Sequence, residues 1–433
     1  MIKSVTQVNS GDILITRAGP KNRVGISCLV HETRPKLMIS DKIIRFHLIQ
    51  AGLYERYISL CLNAGLTSRH IEESKSGMAE SQMNISQDKL KAAPIPLCPV
   101  PEQKRIVAKV DELMALCDAL EQEQESSIAA HALLVENLLA ALTNAANQGE
   151  FKQAWARVAA HFDTLFTTEQ SVEQLKQTIL QLAVMGKLAE QDPADEPAGV
   201  LLERIAAEKA RLVQEKKIKK QRALPEISEG EKVFELPEGW AWCRIWDVAE
   251  LITSGSRDWA KYYSDSGAIF VTMGNLSRGD YKLRMDTIRY VQPPEDGEGA
   301  RTQLKEHDLL ISITGDVGNL GLIPENFGVA YINQHTCLLR FMPEIQNKYF
   351  PELMRSPLAK RQYDAPQRGI KNSFRLGDVG EMVIPLPPLE EQKRIAAMVD
   401  QLMLMCEQLK AKITNSQESQ LMIASALTES AVV

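Results

Sequence analysis

A chain of 433 residues exceeds what one hydrophobic core usually organises, so two to four domains are expected. Its 44% hydrophobic and 24% charged residues exclude disordered and collagen-like classes. No run of about eighteen apolar residues occurs, and the N-terminus lacks an apolar signal-peptide core, so a cytoplasmic protein without membrane association is the expectation. The formal charge of −6 argues against a nucleic-acid binder when taken alone, yet residues 1–94 carry thirteen Lys/Arg against eight Asp/Glu. Seven dispersed cysteines without a C-x-x-C pair point to reduced, buried thiols and to no metal site.

In chain order, the first unit opens on Gly11-Asp12 followed by the apolar strand Ile13-Leu14-Ile15-Thr16, and carries a second β-branched run at Ile43-Ile44-Arg45-Phe46. Pro99 and Pro101 then hold an extended segment. A helix is predicted from Glu102 to Asn144, with acid in its first turn where it suits the dipole. Its apolar residues Ile106, Val110, Leu113, Cys117 and Leu120 step by four and three, the 3.5-residue spacing of a coiled-coil seam. Gln124, Ser127 and His131 interrupt that seam.

Amphipathic helices are predicted over Phe151–Phe166 and Val172–Leu188, the second closing on Gly186. Pro193 and Pro197 break the chain, and a charged helix follows over Leu201–Lys220. Its terminal Lys216, Lys217, Lys219, Lys220 and Arg222 read as a solvated helix end. The second globular unit runs from Leu236-Pro237-Glu238-Gly239-Trp240 to Pro388, with strands at Ala268–Met273, Asp308–Thr314 and Cys337–Phe341 and helical periodicity over Lys348–Tyr363. A final helix over Glu390–Glu429 repeats the seam through Ile395, Val399, Leu402, Cys406, Leu409 and Ile413.

Self-comparison organises these elements. Ile95–Leu120 matches Ile384–Leu409 at 16 of 26 positions with a constant offset of 289. Upstream, Gly11–Thr16 falls with His307–Ser312, Gly19 and Gly25 with Gly315 and Gly321, and Ile43–Phe46 with Leu338–Phe341. A repeat of this length is a duplicated domain-plus-helix unit. The expected domains are 1–99, a long helix at 100–145, a central helical region at 146–235, a second α+β domain at 236–388 and a second long helix at 389–433.

The chemistry of enzymes is missing from the pattern: no Walker A loop, no H-E-x-x-H and no G-x-S-x-G occur. Gly315, Gly318 and Gly321 lack a following helix and read as turn geometry, and His335 reads as structural. Loop groups suited to nucleic acid do occur. They are Ser254, Ser256, Arg257 and Trp259; Asn275, Ser277 and Arg278; Asn333 and Gln334; and Arg368, Gly369, Lys371 and Asn372. Arg and Lys suit guanine edges or phosphates, while Asn and Gln suit adenine.

The paired IPLPPLEEQKRI-type segments, the Leu-Pro-x-Gly-Trp opening, the Gly-Asp-led strands and the linking EQLKQTILQLAVMGKL segment together resemble the specificity subunit of type I restriction–modification enzymes, in its enterobacterial form. The resemblance covers essentially the whole chain. It implies an α+β fold: two target recognition domains separated by an antiparallel pair of long coiled-coil helices. It also implies a non-catalytic reader of a bipartite double-stranded DNA target that docks two modification subunits, with restriction subunits joining the complex. No cofactor would be bound by this chain, since S-adenosylmethionine, ATP and Mg belong to those partner subunits.

One departure stands out. The second unit carries some 65–70 residues, from Leu236 to about Thr302, ahead of the part shared with the first, and nothing equivalent precedes Gly11. Residues 1–94 therefore read as the rear of a recognition domain, in which Arg17, Lys21, Arg23, Ser76, Gly77, Gln82 and Asn84 are candidate backbone contacts. The alternative reading is a coiled-coil scaffold or decoy that occupies modification subunits without full DNA specificity.

Overall fold

A computed structural model describes residues 7–49, 52–221, 224–294, 299, 302–365 and 374–432. The chain divides into two compact units, Met1–Ala129 and Ala130–Val433, so the division falls inside a helix.

In the N-terminal unit, β1 (Ile13–Thr16) lies between β3 (Ser27–Leu29) and β4 (Ile43–Phe46), antiparallel to both. A short ribbon joins β2 (Ala18–Gly19) to β5 (Met83–Asn84). Alternation along β1 turns Ile13 and Ile15 inward, the period-2 signature of a strand with one covered face. Tyr57, Ile58 and Leu62 of α1 (Glu55–Asn63) and Ile71 of α2 (Gly65–Ser74) complete that core. After α3 (Gln87–Lys91), capped by the Ser86 hydroxyl, comes α4 (Val100–Asn144), about 65 Å of continuous helix at ~1.5 Å per residue.

The second unit begins with the end of α4, where Val135, Leu139 and Leu142 are buried. The predicted helix at 151–166 is two, α5 (Gln148–Ala160) and α6 (Phe162–Leu165), because the chain breaks at His161. α7 (Glu169–Val184) is closed at its start by a Thr168–Ser171 capping box, and Gly186 follows at φ +67°. Lys187 donates to the carbonyls of Thr143 and Ala145, capping α4 with positive charge where its dipole is negative. α8 (Ala198–Gln214) is shorter than expected. Lys216, Lys217, Lys219 and Lys220 lie beyond its end, and Arg222 lies outside the described residues.

Two four-stranded sheets follow. One orders β13 (Ala330–Ile332), β9 (Ala268–Val271), β10 (Arg289–Val291) and β8 (Tyr263–Ser264). The other orders β12 (Leu320–Leu322), β11 (Leu309–Ser312), β14 (Thr336–Phe341) and β7 (Ala249–Ser254). A ribbon pairs β6 (Ala241–Arg244) with β15 (Val383–Leu386), and α9 (Ile245–Val248) turns the chain from β6 into β7. The predicted helix at 348–363 is split at Ser356-Pro357 into α10 (Tyr349–Arg355) and α11 (Pro357–Asp364), since proline has no N–H to continue the ladder and starts a new helix. After α12 (Leu376–Glu381), α13 (Leu389–Val432) buries Ile395, Val399, Cys406 and Ile413 against the core. It runs antiparallel to α7, tied by Lys176–Glu407 at 2.5 Å and Lys410–Glu169 at 3.3 Å.

The duplication is physical as well as textual. Asp12 ahead of β1 pairs with Arg45 on β4 at 3.0 Å, and Asp308 ahead of β11 pairs with Arg340 on β14 at 2.6 Å. Gln103 donates to the Cys98 carbonyl and Gln392 to the Pro387 carbonyl. Tyr57 donates to the Pro96 carbonyl and Tyr349 to the Pro385 carbonyl. Burial pushes the Asp308 carboxyl up, more than its Arg340 contacts draw it down. Burial also pushes Asp12 up, but the Asn9 N–H, Arg45 and His47 outweigh it and hold that carboxyl below its ordinary value.

Candidate nucleic-acid interface

The loop after β7 is set by a close backbone crossing. Gly255 donates to the Asn333 carbonyl at 3.0 Å, and a Cβ there would lie 1.9 Å from the Ile332 carbonyl oxygen. Only glycine fits. Ser256 is bridged to Asn333 and nearly buried, so within this predicted set Arg257 is the residue turned to solvent. Trp259 requires a correction. It is 4% exposed and packs with Tyr262, Phe270 and Tyr331 in an aromatic cluster, because its ring supplies the apolar body of that small core. Its indole cannot reach a base from there.

Asn275 is likewise turned inward: its amide donates to the carbonyls of Arg284 and Thr287 and its oxygen accepts from Thr272. It organises a loop rather than reading a base. Ser277 donates to the Lys282 carbonyl, and Arg278 stands exposed beside Asp316 at 3.3 Å. Asn333 spends its side-chain oxygen on His335 N–H and the Thr336 hydroxyl. Gln334 and Thr314 hold the two ring nitrogens of His335, the structural role expected for it. Gly315 and Gly318 take φ of +72° and +91°, the turn geometry expected of them. Arg368, Gly369, Lys371 and Asn372 lie outside the described residues.

What these inward residues build is a cleft of about 520 Å³ lined by Tyr263, Met273, Arg284, Thr287, Arg289 and Asn333. Arg289 lies over the Tyr263 ring, 5.6 Å from its centroid, and Tyr263 is itself 47% exposed. A cation held on an exposed aromatic face suits a phosphate or a stacked base. Neither residue was singled out from the sequence, because Tyr263 and Arg289 lie 26 positions apart and only the β8–β10 pairing joins them.

In the N-terminal unit, Arg17, Lys21, Arg23, Gln82 and Asn84 do come together, around the β2–β5 ribbon. Lys21 and Arg23 are exposed, with Lys21 paired to Glu80 at 3.0 Å. Asn84 exchanges backbone hydrogen bonds with Ser76, and a Cβ at Gly77 would lie 2.4 Å from the Gln82 carbonyl oxygen, so these four shape the turn.

The two seams fare differently. Leu402 and Leu409 are half-buried against the second unit's core beside the buried seam residues Ile395, Val399, Cys406 and Ile413. On α4, Val107 enters the N-terminal core, whereas Ile106, Leu113, Cys117 and Leu120 are exposed and Val110 is half-buried. The reason is that Gln103 and Val107, one turn apart, fix which face meets the sheet. Residues 112–130 of α4 and 415–430 of α13 are exposed throughout. Cys28 and Cys117 are exposed, against the expectation of buried thiols, while Cys243, Cys337 and Cys406 are buried. One stretch of α4 is long and apolar enough, by length and composition alone, to cross a membrane, and most of it is exposed apart from Val135, Leu139 and Leu142.

The chain is a duplicated α+β unit leading each time into a long helix, and its second copy carries polar loops around a cleft with Arg289 and Tyr263 at its mouth. The comparisons sharpen this. Residues 3–130 and 237–418 match the type I restriction modification DNA specificity domain, and the chain belongs to that family. It is 35% identical to the type I restriction enzyme EcoAI specificity subunit of Escherichia coli, over 99% of this chain and 73% of that one. It is 33% identical to the EcoEI specificity subunit of the same organism, over 99% and 74%. A solved chain from work on complex assembly and conformational transition of the type I R-M system aligns with 99% of this chain and 84% of its own, at TM-score 0.56 and 16% identity, and shares the fold.

Proposed function

We propose that the second unit reads one part of a split double-stranded DNA target, with Arg257, Arg278, Arg289 and Tyr263 as its exposed contacts and the N-terminal ribbon adding backbone contacts through Lys21 and Arg23. The observation that carries this reading is the Arg289–Tyr263 pair at the mouth of a polar cleft, in a chain of the DNA specificity family. The chain contributes recognition. Methyl transfer and cleavage are assigned to modification and restriction subunits, which hold S-adenosylmethionine, ATP and Mg. The bare apolar stretches of the long helices, with Leu113, Leu116 and Leu120 on α4 and Leu421, Ile423 and Leu427 on α13, support their use as packing surfaces for a helix pair and for two modification subunits.

The test is a gel shift on a library of duplexes, with and without modification subunit, at rising salt. Specific retention that falls steeply with salt is expected, because each neutralised phosphate releases counterions. Binding only to modification subunit, with no DNA retained at low salt, would favour the scaffold alternative.

A further inference from the structure

The loop that carries Arg278 is pinned on both sides of that residue. Before it, Ser277 and Leu320 of β12 exchange backbone hydrogen bonds at 2.8 Å, and the Ser277 hydroxyl donates across the loop to the Lys282 carbonyl. After it, the Gly279 carbonyl accepts from Nη2 of Arg355 on α10 at 2.6 Å. The other arm of that guanidinium is held by Glu352, a residue only 3% exposed. The Arg355 guanidinium also lies over the Tyr281 ring, 5.7 Å from its centroid, and the Tyr281 carbonyl accepts from Leu322 N–H. Arg278 is exposed, yet it projects from a backbone fixed at both flanks. Asn275, three residues earlier, lines the cleft that Tyr263 and Arg289 share.

The guanidinium of Arg278 is held as well. Its Nη1 pairs with Oδ1 of Asp316 at 3.3 Å, the only partner found for it among the described residues. The second oxygen of Asp316 accepts from Nδ2 of Asn319 at 3.1 Å, and Asn319, one residue before Leu320, is buried. The Ser312 hydroxyl donates to the Asp316 carbonyl and fixes that backbone in turn. An exposed ion pair contributes little to stability, so holding the fold together does not account for this chain of contacts. Its effect is on what Arg278 can bind. A carboxylate at one arm repels phosphate and sets the plane of the fork, leaving Nε and Nη2 side by side for two acceptors. Guanine O6 and N7 are such a pair on a base edge.

We propose that Arg278 reads a guanine edge in the major groove, and that Asp316, braced by Asn319, is the positioning residue that keeps it from settling on phosphate. This rests on the DNA-reading proposal and deepens it. Among the exposed arginines, Arg278 supplies sequence discrimination rather than charge neutralisation.

The test uses the full chain and its variants, on the duplex that the library selects and on duplexes carrying each single base-pair change, at rising salt. Arg278→Ala should erase a discrimination of roughly fivefold or more at one G·C pair, while the slope of log binding constant against log salt stays at the parent's value. Arg278→Lys keeps the charge and loses the fork, so it should match Arg278→Ala. Asp316→Ala should weaken discrimination at that same pair by about threefold or more and raise affinity for unrelated duplexes. Both positions are exposed, and an unchanged thermal midpoint of tryptophan emission checks that each variant folds. A slope reduced by about 0.9 in Arg278→Ala and restored in Arg278→Lys, with discrimination intact at every pair, makes Arg278 a phosphate contact and overturns the proposal. So does an Asp316→Ala variant that raises affinity for all duplexes alike, since the carboxylate then only repels DNA. A parent chain that retains no duplex would sink the DNA-reading proposal itself, and this one with it.

Discussion

Replacing Arg340 by Leu tests the buried framework of the second unit most directly. Arg340 binds Asp308 through two hydrogen bonds, Nε at 2.7 Å and Nη2 at 2.6 Å, and the carboxylate has no solvent exposure. Without the guanidinium, Asp308 keeps only the Lys305 N–H. Breaking a buried pair from one side costs roughly 3–5 kcal/mol. At a urea m-value of about 3 kcal/mol/M, the midpoint should fall by about 1 M or more. All five tryptophans lie in the second unit, at 155, 240, 242, 246 and 259, so tryptophan emission reports that unit's unfolding. Arg45→Leu, the same change in the other unit, should move this signal far less. The sign with pH is also fixed. The Asp308 pKa is raised in the fold, so its charged form burdens the native state above that pKa, and the burden is relieved as pH falls through it. Loss of Arg340 removes the contacts that lower this pKa, so the Arg340→Leu deficit should shrink as pH falls toward the ordinary carboxylate range. A midpoint shift under 0.3 M in urea, or a deficit that grows on acidification, would refute the reasoning.

Three further outcomes are expected. Burial lowers the Lys209 pKa to about 8, only partly opposed by Asp247, so the folded state carries a desolvation penalty below pH 8 that vanishes as the unfolded form deprotonates. Any stability advantage of Lys209→Met in urea titrations should accordingly fade between about pH 8 and 10.5; a constant difference would contradict that cause. Gly255→Ala should lower the thermal midpoint of tryptophan emission by several degrees, since the new methyl meets the Ile332 carbonyl; an unchanged midpoint would mean the crossing relaxes freely. Arg289→Ala should reduce the slope of log binding constant against log salt by roughly 0.9 if the guanidinium neutralises one phosphate, and a slope equal to the parent's would remove it from the interface.

Helix and strand placement was legible wherever the hydrophobic period was long. The two long helices came within two or three residues of their ends, and the repeat located the Asp12–Arg45 and Asp308–Arg340 strands before any pairing was known. Local stops were harder. His161 and Ser356-Pro357 divide runs whose apolar spacing continues across the break. The candidate site was read least well, because composition cannot distinguish a polar side chain aimed at solvent from one that satisfies its own loop. Asn275 and Asn333 spend their oxygens on neighbours three residues away or fewer, and Trp259 turns into an aromatic cluster. Tyr263 and Arg289 meet only through strand pairing, which no local pattern announces. The α4 seam shows the same limit: spacing identifies an apolar stripe, not the surface that covers it.

Gln103 and Gln392 have a mechanical consequence. Each amide clamps the proline-rich segment to the first turn of its helix, Gln103 also accepting from Tyr54 N–H and Gln392 from the Asn347 amide. Each globule is thus keyed to its shaft and cannot swivel on it. Adding four residues to a shaft therefore does more than lengthen it by about 6 Å: at ~3.6 residues per turn it also swings the attached head by roughly 40°. A seven-residue addition returns the head to within about 20° of its original azimuth. Length and heading are geared together, so a four-residue and a seven-residue addition turn the attached head by different amounts.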